Sequence, residues 1–333
     1  MQREVGIRTI TDGEFRRRTF CDDFWGRLEG MTYVPECPPE KFSQLGSSRK
    51  AEPAPTWICT AKLRRTRSLY GPQFEGLKKF ATAEEIPRLK LTMCAPEVLY
   101  MAHREHTYEE GVYGNIKQYF DDLKTVYQEE IADLYAQGCR FIQLDDPCLT
   151  TLADAGTVFR MNAIGVDVDE ELTELIHLLN GCLEERPRDM CIALHLCAES
   201  KKDGHHFAHD AYETIVGRLF NELDVDCFYY DQEHTGSFEP LRFLPRNKTV
   251  VLGLINSKQP KIDDPDVIEN KIHQAAHVIA RGQNRTCEEV LDQICISPQC
   301  GFAANWDGNS HVTEATMRAK LELLVKVSKD VWK

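Results

Sequence analysis

Short runs of apolar residues alternate with long amphipathic stretches from one end of the chain to the other. The runs fall at 7–11, 89–93, 141–144, 190–194, 226–230, 249–254 and 294–297. Most are apolar throughout, as expected of parallel strands covered on both faces. The stretches between them carry helical periodicity and predict helices over about 115–137, 169–183, 209–223, 265–281, 288–293 and 313–331. In the first, Ile116, Phe120, Leu123, Tyr127, Ile131 and Leu134 recur at three- and four-residue steps, and Gly138 supplies a C-terminal stop. Thr313 is placed to cap the last helix.

Repeated strand–helix units without hairpin signals argue for an all-parallel sheet. Seven strands are predicted, and a closed barrel of this kind needs eight. The region from about 31 to 77 breaks the pattern. Rich in Pro, Arg, Ser and Lys, it reads as a long excursion after the first strand. No internal repeat is visible.

Composition narrows the class. With 333 residues, 42% hydrophobic and 28% charged, the chain is of ordinary globular make-up. Forty Lys+Arg against fifty-three Asp+Glu leave a net charge of -13, which disfavours nucleic acid and anionic membranes as partners. No stretch approaches the ~20 apolar residues of a spanning helix. The N-terminus has no apolar signal core, so a soluble, cytoplasmic protein is expected. The thirteen cysteines are scattered and odd in number, which reads as mostly reduced, buried thiols.

Polar residues gather where the apolar runs end. Asp12, Gly13 and Glu14 follow the first run, and Asp145 and Asp146 the run ending at Leu144. His195 and Cys197 follow Leu194, Asp231 and His234 follow Tyr230, Asn256 and Lys258 follow Leu254, and Cys300 follows Ser297. In a parallel barrel all of these ends open on one face, where active sites sit. The arrangement is that of an enzyme.

His195-x-Cys197 is the sharpest local feature, since imidazole and thiolate two residues apart can converge on one ion. Cys300 at another strand end would complete a three-point zinc site with one position open; three buried residues with no ion is the alternative. Of the two adjacent carboxylates, one can line the barrel mouth while the other caps the next helix or meets an arginine. Glu14, followed by Arg16, Arg17 and Arg18, reads equally well as part of a surface ion-pair cluster. His103, His106, His205, His206 and His209 read as surface residues, and His234 and His311 are open.

Six stretches together resemble a known family: TDGEFRR from Thr11, QLDDP from Gln143, HLC from His195, GSFEPLRFLP from Gly236, LGLINSK ending at Lys258, and SPQCGF from Ser297. In this order and spacing they resemble the cobalamin-independent methionine synthases, and more closely the short relatives of their C-terminal half. The resemblance implies a single domain over residues 1–333, a (β/α)8 TIM barrel apparently lacking the first strand and helix. It implies a Zn2+ ion that lowers the pKa of a substrate thiol, held by His195, Cys197 and Cys300. It further implies that Asp145 and Glu14 hold the amino group of a homocysteine-like thiol, beside a methyl or alkyl donor. Asp12 and Lys258 are further candidates for substrate binding, and Asn256 for catalysis.

The chain also departs from the family. Tyr229 stands where a glutamate supplies the fourth zinc ligand, Asn256 replaces a proton-donating histidine, and Thr151 replaces a folate-binding glutamate. The first strand and its substrate-binding turn have no counterpart, which leaves two sheet edges that a homodimer could cover. Three functions compete: a zinc-dependent thiol methyltransferase, a zinc enzyme of the same fold using another electrophile such as an epoxide, and a metal-free barrel with acid–base or binding function.

Overall fold

The computed structural model describes residues 1–43, 45, 50–196, 209–231, 236–302 and 311–333. Two antiparallel strands, β1 (Glu29–Cys37) and β2 (Ala54–Arg64), precede six others. These are β3 (Lys90–Cys94), β4 (Phe141–Asp146), β5 (Cys191–Leu196), β6 (Cys227–Tyr230), β7 (Thr249–Ile255) and β8 (Ile294–Pro298). The six lie side by side in chain order, every pair parallel. They match six of the seven predicted strands.

Helices Ile116–Ala136, Val168–Leu183, His209–Glu222 and Pro265–Gln283 occupy crossovers, and Glu314–Val331 closes the chain. Their ends follow the local chemistry. Asn115 accepts from the Gln118 amide at the start of the first, and Gly138 at φ 101° ends that region. Thr313 caps the last helix by accepting from the Thr316 amide.

Alternation along each strand sorts the side chains into two sets. Leu91, Met93, Ile142, Leu144, Ile192, Leu194, Phe228, Val250 and Leu252 belong to the large core beneath the helices. The other face holds a small separate cluster of Ala193, Cys227 and Val251, flanked by Phe141 and Tyr229. The sheet curls around this second face. Lys90 on β3 reaches the Tyr229 hydroxyl on β6, three strands away, at 3.1 Å.

Two expectations need correction. Residues 7–11 form no strand. The segment lies beside β3 and makes one ladder-like bond, from the Lys90 amide to the Ile10 carbonyl, at 2.8 Å. The Gln2 side chain then takes the place of a neighbouring strand, exchanging two hydrogen bonds with the Thr11 backbone. Helix Gln2–Val5, which supplies Gln2, is tied to the C-terminal helix through Glu4 and Arg318 at 2.6 Å.

Within the excursion at 31–77, β1 and β2 pair antiparallel, with Tyr33 opposite Trp57 and Val34 opposite Thr56. Aromatic and β-branched residues suit this pairing. Main-chain bonds between Cys59 and residues 107 and 109 dock the hairpin on the body. That docking also buries His103, expected at the surface; it is fully enclosed, bonded to the Thr56 hydroxyl and the Lys41 carbonyl. His205 and His206 lie outside the described residues.

No helix of the described residues is long and apolar enough to cross a membrane.

Candidate active site

The inward positions of β3 to β6 carry polar side chains that meet one another. Asp145 and His195 are cross-strand neighbours on β4 and β5, and His195 is the neighbour of Tyr229 on β6. Register therefore brings carboxylate, imidazole and phenol side by side on one face. Asp145 Oδ1 accepts from His195 Nδ1 at 2.9 Å and from Gln143 Nε2 at 2.6 Å. The Tyr229 ring meets the imidazole edge-to-face, with centroids 6.0 Å apart.

Cys300 joins from the far side of the sheet. Its thiol is in hydrogen-bond contact with the His195 imidazole, and its amide donates to the Ser257 hydroxyl. A Cβ on Gly253 would stand 3.0 Å from Gln299 Cα, so a glycine in β7 lets the segment carrying Cys300 approach this closely. Burial alone would lower the His195 pKa. The hydrogen bond His195 donates to Asp145 and the contact with Cys300 outweigh it and push the imidazole up to about 10.

Glu14 is brought to the same place from the N-terminal segment. It sits at φ 59°, in the left-handed region, which a non-glycine residue occupies only when its surroundings hold it. The Thr92 hydroxyl of β3 donates to its carboxylate, and Arg17, almost wholly buried, stands 3.6 Å away. Burial raises the Glu14 pKa, and the charge of Asp145 raises it further.

Asp146 points the other way, as its strand position requires. It accepts from the Cys148 and Leu149 amides and so caps the short turn after β4, one of the roles foreseen for this pair. Burial pushes its pKa up to about 6. Fully buried Glu97 lies against it, and the two carboxyl groups share a hydrogen bond. Burial, then the charge of Asp146, raises Glu97 well above the carboxylate range.

Other predicted residues serve local structure. Asp12 Oδ1 accepts from the Glu14 amide, making the turn that presents Glu14. Asn256 Oδ1 accepts from the Lys258 and Gln259 amides, which commits that side chain to a turn after β7. Cys197 and His234 lie outside the described residues, and His311 is exposed. Sequence reasoning missed Lys90. Its signal was a lysine at the head of a buried strand, where the alternating pattern places it inward.

Among the described residues no group of three or more possible ligands gathers for an ion. What is described still suits zinc: a nitrogen and a sulfur donor in contact, with a carboxylate fixing the other imidazole nitrogen.

Residues 115–329 match the catalytic domain of the cobalamin-independent synthases. The chain belongs to this family. The uncharacterized protein YxjH of Bacillus subtilis (strain 168) is 30% identical over 335 residues, covering 100% of this chain and 83% of its own. The methionine synthase of Saccharolobus solfataricus is 21% identical over 302 residues, covering 90% of this chain and 74% of its own. A Listeria monocytogenes structure, described as a candidate vitamin-B12-independent methionine synthase, superposes with TM-score 0.72 and 27% identity. It covers 100% of this chain and 84% of its own. A B12-independent methionine synthase from Shewanella sp. W3-18-1 gives TM-score 0.70 at 20% identity, covering 99% and 84%. The curled parallel sheet is thus the TIM-barrel-like fold of the cobalamin-independent synthases.

Proposed function

We propose that this member of the family is a cytoplasmic, zinc-dependent thiol methyl- or alkyltransferase acting on a homocysteine-like thiol. The observation that carries the reading is the contact of His195 with Cys300, backed by Asp145. His195, Cys300 and, by its place in the HLC motif, Cys197 would hold the ion. When bound, zinc would supply Lewis-acid activation that keeps a substrate thiol deprotonated at neutral pH.

The protein's own part is orientation. Asp145 Oδ1 is occupied by His195 and Gln143, so Oδ2 is the oxygen free to meet a substrate ammonium. Glu14, held by Thr92 and Arg17, would meet the same group. In transfer a sulfur–carbon bond forms as the bond from that carbon to the donor breaks, its electron pair leaving with the donor. Asn256 has no acidic proton to give, and its oxygen is already spent on a turn.

That last observation favours a second reading, a zinc enzyme with an electrophile other than methylfolate. Tyr229 supports it as well, because Lys90 engages its hydroxyl. Incubation of the zinc-loaded protein with homocysteine and methylfolate, followed by mass spectrometry, separates the two. Methionine formation supports the first. Adduct formation only with an epoxide supports the second, and no thiol alkylation with either would overturn both.

A further inference from the structure

A line of hydrogen bonds runs behind the candidate metal site, and its far end is Lys90. Lys90 Nζ donates to Gln143 Oε1 at 2.6 Å and to the Tyr229 hydroxyl at 3.1 Å. It also lies over the Tyr229 ring, 4.6 Å from the centroid. Gln143 Nε2 donates to Asp145 Oδ1 at 2.6 Å, and the same oxygen accepts from His195 Nδ1 at 2.9 Å.

The direction of this line follows from chemistry. An ammonium only donates, so the carbonyl end of the Gln143 amide must face Lys90. Its NH2 end is then forced toward Asp145. Turned over, the amide would set NH2 against the ammonium and a carbonyl oxygen against the carboxylate, two repulsive contacts in an enclosed space. Fixed this way, Gln143 aligns the Asp145 oxygen that receives the His195 Nδ1 proton. The other imidazole nitrogen is left for Cys300 or an ion.

We infer that Lys90 is a positioning residue: through Gln143 and Asp145 it sets the orientation and hydrogen-bond direction of His195. The inference rests on the reading of His195 as a metal ligand only for its functional consequence; the relay itself is a property of the metal-free chain. Groups bonded directly to a metal ligand typically alter metal affinity by about 10–100-fold when removed, and Lys90, acting through Gln143 and Asp145, belongs at the low end of that range.

The test uses the full chain labelled with 15N-histidine, in metal-free form and in a chelator competition with Zn2+. Wild type should show a slowly exchanging, downfield N–H resonance from His195 Nδ1, whether the ring is neutral or charged. Lys90→Met should lose that resonance and bind zinc about tenfold more weakly, and Lys90→Arg should restore both. Should Lys90→Met fail to fold, Gln143→Glu carries the test. It keeps a partner for Lys90 but removes the donor to Asp145, and should lose the resonance too. A folded Lys90→Met or Gln143→Glu protein with the wild-type resonance and zinc affinity would overturn the inference. Loss of the resonance in a protein whose wild type binds no zinc would leave the relay standing and sink the zinc reading instead.

Discussion

Glu130 is a fully buried carboxylate outside the candidate site that meets three donors, and its replacement gives a sharp stability prediction. Fully enclosed on helix Ile116–Ala136, it accepts from Arg65 Nε at 2.8 Å and from the Leu69 and Tyr70 amides at 2.9 and 2.7 Å. These bonds fasten the end of the hairpin, and the turn into helix Gly71–Lys78, to the body of the protein. Glu130→Gln preserves size but leaves one acceptor where there were two. With its oxygen toward Arg65 and Leu69, its NH2 opposes the Tyr70 amide; turned over, it opposes both others. At best one buried N–H is orphaned, about 1–3 kcal/mol, and the charge facing Arg65 is lost, only partly replaced by Asp133. The sum is about 2–4 kcal/mol, against about 3–5 kcal/mol for Glu130→Ala, which strands all three donors. Asp133→Asn, at a partly exposed partner, should lose less than about 1 kcal/mol. Urea unfolding reads these as midpoint shifts at constant slope. A Glu130→Gln protein within about 0.5 kcal/mol of wild type at unchanged slope would refute the reasoning.

Two further predictions concern pH. Glu97 is held protonated in the native chain by burial and by Asp146, whereas the unfolded chain releases that proton above about pH 4.3. Native stability from this group therefore falls as pH rises through that value, and Asp146, pushed up to about 6, adds to the trend. Glu97→Gln should gain on wild type between about pH 4 and pH 7.5; an equal difference at both would contradict this. Burial lowers the His103 pKa, so below about pH 6.5 the unfolded chain takes up a proton that the native chain refuses. Stability should be lost as pH falls through that value, and His103→Gln should lack this acid limb in midpoint-against-pH curves. Finally, Tyr229→Glu would place a carboxylate within reach of Lys90 and be captured by it. Tyr229→Glu should therefore leave zinc affinity unchanged in the wild-type background but raise it above that of Lys90→Met in the Tyr229→Glu, Lys90→Met pair; a rise in the single variant would show that residue 229 faces the ion freely.

How much was legible in the sequence depended on where the deciding contacts lay. Strands β3 to β8 were visible because their outward faces are buried by helices, which leaves uninterrupted apolar runs. The helix ends at Asn115, Gly138 and Thr313 were visible because capping is settled within a few residues. The strand-end residues could be placed because apolar-to-polar switches mark barrel mouths, and register did the rest for Asp145 and His195. The hairpin was missed because its strands are joined by a long proline-bearing connection rather than a two-residue turn. His103 followed it, since what buries that ring is Thr56 on a distant strand. Residues 7–11 were overread because strand character needs partners as well as apolar residues, and β3 offers only one edge. Lys90 escaped notice because one lysine inside a short apolar run reads as a break in the pattern rather than as a side chain with a task. Only the curl of the sheet shows it facing Tyr229.

We propose that His195, Cys197 and Cys300 form a zinc site in this family member. Metal content of the purified protein, measured by elemental analysis beside Cys197→Ser and Cys300→Ser, tests it most directly. About one zinc per chain is expected in wild type, with a large loss in each variant that remains folded. A wild-type protein without zinc after reconstitution, or variants that keep it in full, would contradict the claim.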